Sequence, residues 1–195
     1  MRKTASFKLL ALSRKFTVLA LLTAMGCSQW QGQAQRDVEN GGPELVRVQE
    51  TFALGQADNW LFRTPELWSI LEDEGRPYLQ MAEPPQRPMW PGVRRPQEYA
   101  IFTPYEFRSF SLSCFMRVDR DPAVEARDAC IIFGRRDDTH FYYAHLAGTS
   151  DGVHNTIMRV DGDTRRRLMP DGFRPEPIFT DRTWHKVDVL RNCDT

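Results

Sequence analysis

After residue 44 the sequence lacks a helical hydrophobic period of useful length, which argues against a helical architecture. It also lacks an apolar run long enough to cross a bilayer. The pronounced run, Phe16 to Met25, covers about ten residues, half of the roughly 20 that a spanning helix needs. Metal-ligand spacings are missing, with no Cys-x-x-Cys and no His-x-x-x-His among four Cys and four His. His140 and His145 differ by an odd number, so on one strand they face opposite ways, and no metal site is expected. Excess charge is absent too, with 26 basic against 26 acidic residues. That balance hides a split. Arg2, Lys3, Lys8, Arg14 and Lys15 fall in residues 1–26, where there is no acid. Removing them leaves 21 basic against 26 acidic residues, a net charge of −5. A mildly acidic domain has no basic face for nucleic acid.

The N-terminal segment has a pattern of its own. Basic residues precede the short apolar run, and Ala24-Met25-Gly26-Cys27 follows it. Charge, a short apolar stretch and small residues make an export signal over residues 1–26. Its end resembles the lipobox of bacterial lipoproteins, with Ala24 where Leu is usual. The resemblance implies a lipid on Cys27 and anchoring in the cell envelope, outer membrane or periplasm, through acyl chains alone. Residues 27–43 are polar and rich in Gly and Gln, and read as a flexible tether.

Residues 44–195 read as one domain, with apolar content (41% over the chain) sufficient for a core. Strand signals recur between Gly, Pro and Asp punctuation. Trp68–Leu71 and Tyr78–Met81 flank a turn at Asp73-Glu74-Gly75. Further strands are expected over 108–118, 130–135, 139–147, 153–160, 164–169 and 184–191. Five Pro within residues 83–97 mark a long loop or an edge. A hairpin centred near residue 122 sets Cys114 opposite Cys130. In an oxidising compartment these could form a disulfide, and two packed thiols fit the same positions. A three-residue loop at Arg136–Asp138 and a turn near Ser150 then divide the side chains. Phe110, Leu112, Cys114, Met116, Val118, Cys130, Ile132, Tyr142, Ala144, Leu146, Met158 and Val160 form a core face. Arg117, Arg135, Phe141, Tyr143, His145, Asn155 and Arg159 lie on a polar, aromatic face. A two-residue turn at Asp137-Asp138 inverts part of this division, because a slip by one residue swaps every side chain.

Three segments carry a family resemblance. They are Phe107 to Leu112, Ile132 to His145, and Thr183-Trp184-His185-Lys186-Val187. They resemble the concanavalin A-like lectin/glucanase superfamily, nearest to laminin-G-like modules and the 3-keto-disaccharide hydrolase domains of secreted bacterial proteins. The resemblance implies an all-β jelly-roll sandwich of two antiparallel sheets with a face that meets carbohydrate. Such domains continue past the strand at Trp184, so the sandwich is expected to be C-terminally incomplete at Thr195, with Cys193 unpartnered.

The aromatic face supplies what sugar recognition asks for, flat rings beside fixed donors and acceptors. Carbohydrate is therefore the expected partner of Arg117, Arg135, Phe141, Tyr143, His145, Asn155 and Arg159. Glycosidic hydrolysis needs a pair of carboxylates. No acidic residue falls on that face, and the Glu-x-Asp-x-x-Glu strand of laminarinase-type members is absent. A glycoside-processing enzyme of the 3-keto-disaccharide type and a structural laminin-G-like domain are the alternatives. No cofactor is expected; calcium at Asp137-Asp138 is the one ion left open.

Overall fold

The computed structural model describes residues 5–13, 35–37, 45–53, 55–82, 94–123 and 127–192, with backbone alone in 5–13, 35–37 and 45–47. Cys27, Cys193, the apolar run at 16–25 and most of the tether lie outside the described residues. In chain order the strands are β1 (Ala5–Ser13), β2 (Gln35–Asp37), β3 (Leu45–Gln49), β4 (Trp60–Phe62), β5 (Trp68–Asp73), β6 (Arg76–Met81) and β7 (Ala100–Phe102). They continue with β8 (Phe110–Val118), β9 (Asp128–Asp137), β10 (His140–Ala147), β11 (Thr156–Asp161), β12 (Arg166–Arg167) and β13 (His185–Arg191). A 3-10 turn at Pro65–Leu67 is the one helical element among the described residues. The protein is all-β and its sheets are antiparallel.

Seven strands make the larger sheet. Its order runs β13-β8-β1, and β1 then pairs with β3 near one end and with β6 near the other. β2 adds to β3, and β5 adds to β6. β1 falls in the segment read as an export signal, and β2 in the segment read as a tether. The second sheet has the order β12-β11-β10-β9, and β4 pairs separately with β7.

Alternation explains how the two large sheets meet. β8 buries Leu112, Cys114, Met116 and Val118, while the alternating Ser111 and Phe115 are exposed. Those side chains and Val187 of β13 share one apolar layer with Ala129 and Ile131 of β9 and Ala144 and Leu146 of β10. Phe179, from the segment before β13, closes it. A fully buried Leu or Met contributes about 1.5–3 kcal/mol, so this layer contributes substantially to stability.

The β5–β6 hairpin follows its turn chemistry. Asp73 pairs with Arg76, leaving Glu74 and Gly75 as the loop, with φ of 49° and 72°. Positive φ at both positions is the type I′ turn that matches strand twist, and glycine takes it without steric cost.

Two sequence expectations about register require correction. β8 and β9 do not form a hairpin; β8 pairs with β1 and β13, and β9 pairs with β10. Cys114 and Cys130 therefore lie in different sheets, and both are free thiols. Cys114 faces the shared layer, and Cys130 packs on the far side of the smaller sheet. Burial pushes the Cys114 thiol up to about 12 and raises that of Cys130 as well.

The second correction concerns β9 and β10. Asp137 pairs with His140, so the loop is the two residues Asp138 and Thr139. The register then shifts, and Phe133 faces Tyr142. Gly134 sits at the bulge with φ 57°, and an added Cβ would come within 3.2 Å of the Tyr142 ring. The net offset is one residue from the expected pairing. On the other side of β10, Tyr143 faces Met158 instead of Ile157. Phe141 and Tyr143 thus join Met158 and Val160 in a second buried cluster, with Cys130, Ile132 and Val153 against it. Cys130, Ile132, Met158 and Val160 exchange faces relative to the expectation, so Tyr142, expected on their face, lies on the opposite one.

Candidate functional site

The seven residues of the expected carbohydrate face do not share one face. Phe141, Tyr143 and His145 stay together on one side of β10, where they are 2%, 0% and 1% exposed. Their rings follow one another at 6.0 and 5.8 Å. Arg165 donates to the Tyr143 hydroxyl at 3.3 Å, and burial pushes that phenol up to about 12. Asn155 is buried as well, and its work is on the backbone. Its Oδ1 accepts from the Ala147 N–H and its Nδ2 donates to the Thr149 carbonyl, each at 2.8 Å. With φ at 50°, Asn155 takes the left-handed conformation that asparagine tolerates, and closes the loop between β10 and β11.

The three arginines are apart. Arg117 projects from the far side of β8, where Nη1 donates to Asp73 at 2.6 Å and Nε lies 2.7 Å from Asp119. Its guanidinium lies over Trp184 at 4.6 Å and Tyr78 at 5.7 Å. Trp184 donates to the same Asp73 oxygen at 2.9 Å. The Trp184 and Arg117 hydrogen bonds hold the Asp73 carboxyl below its usual range. Arg135 donates to Asp138 at 2.6 Å, and Tyr99 donates to the same oxygen. The Arg135 and Arg63 guanidinium groups lie 5.4 and 5.6 Å from the Tyr99 ring. Asp137 accepts from the Thr139 hydroxyl and N–H and from His140, all within its own turn. These are the hydrogen bonds of a plain Asx turn.

Arg159 belongs to a different surface, on the same side of the sheet as the shared layer but at its end. Its guanidinium lies 6.0 Å from the Tyr142 ring and pairs with Asp161. Tyr142 stacks on Phe133 at 6.0 Å with 12° between planes, and Phe110 meets Phe133 edge-on at 6.3 Å. Tyr142, Phe133 and Arg159 are all partly open to solvent. Arg191 approaches the same spot at Gly134, where the missing Cβ leaves room for Tyr142 and Arg191 together. The result is a half-open aromatic stack edged by guanidinium and carboxylate groups. The sequence pattern places Tyr142 in the core; the structure puts it at this half-open edge, and Gly134 within an otherwise strand-like run is the sequence signal for that difference.

A scan against protein-family models and searches of curated proteins and solved structures find no match.

Proposed function

We propose that this chain is an exported carbohydrate-binding module of jelly-roll type, displayed on the bacterial cell envelope by lipid on Cys27. Two antiparallel sheets packed on one apolar layer support the sandwich. The signal-like pattern of residues 1–27 supports export. No helix among the described residues is long and apolar enough to cross a membrane.

The observation that carries the binding reading is the half-open stack of Tyr142 on Phe133, flanked by Arg159. A sugar ring buries one apolar face on an aromatic plate, while its hydroxyls take donors and acceptors at the rim. Arg159 and Asp161 supply both kinds, and their mutual pairing fixes their positions. The binding surface proposed is therefore Tyr142, Phe133 and Arg159, in place of the buried Phe141, Tyr143 and His145. A glycan array with the soluble chain tests it. Binding to a defined glycan class is expected, weakened at least about tenfold by Tyr142→Ala, a cost near 1.4 kcal/mol. Arg159→Gln should weaken it too, without changing the melting temperature much. An array with no signal, or binding indifferent to both substitutions, refutes the reading.

A further inference from the structure

Among the described residues, Asp128, His145 and His154 form a group whose ligand atoms all lie within 4.8 Å of one another. Each comes from a different element. His145 is near the end of β10, opposite Cys130 of β9. Asp128 lies two residues before Cys130, so alternation turns it to the same side as His145. His154 lies in the loop between β10 and β11, beside the Asn155 that closes that loop. The two imidazole rings are 4.7 Å apart at their centroids.

Proton accounting gives the group its character. His145 Nδ1 lies 3.1 Å from the Val153 carbonyl oxygen, which can only accept, so Nδ1 carries the proton. A neutral His145 then presents a lone pair at Nε2, yet Nε2 lies 3.0 Å from a carboxylate oxygen of Asp128. Two acceptors face each other unless a positive charge lies between or beside them. His154 repeats the pattern. Its Nδ1 lies 2.8 Å from Asp151 Oδ2, so Nδ1 carries the proton and donates it in a hydrogen bond to the carboxylate, and Nε2 keeps its lone pair. Asp151 is itself fixed, since its Oδ1 accepts from the N–H groups of Val153 at 2.6 Å and His154 at 2.9 Å.

We propose that Asp128, His145 and His154 bind a first-row divalent transition metal, zinc foremost, with the Val153 carbonyl and Asp151 orienting the two imidazoles. Histidine ligands ordinarily give their second N–H to a carbonyl or a carboxylate, which fixes tautomer and ring direction, and here one histidine has each kind of partner. Two imidazole nitrogens and one carboxylate suit zinc and its neighbours better than calcium or magnesium, which prefer all-oxygen shells. His145 is nearly fully buried, whereas the Asp128 side chain is 39% exposed, so the metal would enter from that side. Three protein ligands leave a coordination position for water or a bound group. The proposal does not depend on the sugar surface, which lies on the opposite side of β10.

The test uses the full chain, stripped with EDTA and titrated separately with Zn²⁺, Co²⁺, Mn²⁺ and Ca²⁺. One Zn²⁺ per chain is expected, with a rise in melting temperature and no comparable response to Ca²⁺. Co²⁺ should give visible d–d bands without thiolate charge transfer. His154→Ala removes a half-buried loop side chain and should abolish stoichiometric binding while leaving the far-ultraviolet circular dichroism unchanged. Asp151→Asn should weaken binding by about 10–100-fold. Three results each overturn the proposal. One is absence of stoichiometric binding. Another is binding that survives His154→Ala or shows thiolate bands, which assigns the ion to cysteine. The third is nitrogen NMR showing His145 protonated on both ring nitrogens at neutral pH with Zn²⁺ present, which assigns the charge to a proton.

Discussion

Arg127 is 4% exposed, and its guanidinium reaches three backbone carbonyls. It donates to Val118 at 2.8 Å, and to Phe179 and Asp181. Those carbonyls belong to the end of β8 and to the segment before β13, while Arg127 itself leads into β9. One side chain thus ties the larger sheet to the smaller. Burial lowers its pKa, but arginine remains charged at any working pH. Arg127→Met keeps much of the volume and removes the guanidinium donor from all three carbonyls. Chemical denaturation should show a loss of about 3 kcal/mol, and Arg127→Lys should recover only part of it. A loss below about 0.5 kcal/mol would mean that water replaces the guanidinium. Nothing in the sequence separates Arg127 from the other arginines. Its importance comes from where two strand ends and a loop converge, and no local spacing encodes that.

At the level of strands and loops, legibility follows the range of the signal. β8 alternates cleanly, so Leu112, Cys114, Met116 and Val118 were readable as one buried face. The β5–β6 turn was readable from Glu74-Gly75. The expected faces of β9 and β11 are inverted relative to β10 because loop length decides register, and Gly134 adds a bulge that the alternation alone does not reveal. Strand spacing does not bring His154 and Asp128 to His145, because a loop and a strand end do so, outside any strand period. The same loop gives a pH prediction. Burial raises the Asp151 pKa, but the N–H groups of Val153 and His154 and the His154 ring outweigh it and hold the carboxyl at about 2, below its reference of 3.8. A depressed folded-state pKa contributes stability that is full above 3.8 and lost as pH falls towards 2. Amide exchange at Val153 and His154 should therefore accelerate as pH falls through that window, after correction for the intrinsic rate. Asp151→Asn should remove that pH dependence. A wild-type loop that stays equally protected down to pH 2 contradicts the assignment.

For the whole molecule, β1 is where export and folding meet. All ladder hydrogen bonding between the β8–β13 pair and the β6–β5 and β3–β2 pairs runs through β1, which aligns with β8 from Ala5 opposite Val118 to Ser13 opposite Phe110. The export proposal removes residues 1–26 and β1 with them. β8 would then present an unpaired edge, which invites association with another chain. One set of side chains still crosses the gap. Asp73 of β5 accepts from Arg117 of β8 and from Trp184 beside β13, and Tyr78 of β6 meets Trp184 at 5.4 Å. A chain of residues 27–195 should therefore rely on this cluster more than the full chain does. Asp73→Asn should lower the unfolding midpoint more in residues 27–195 than in residues 1–195, a non-additivity that a double-mutant cycle measures. The shorter chain should also show concentration-dependent association by size exclusion. Equal effects of Asp73→Asn in both chains, with the shorter one monomeric, would mean that β1 does not join the halves of the sheet.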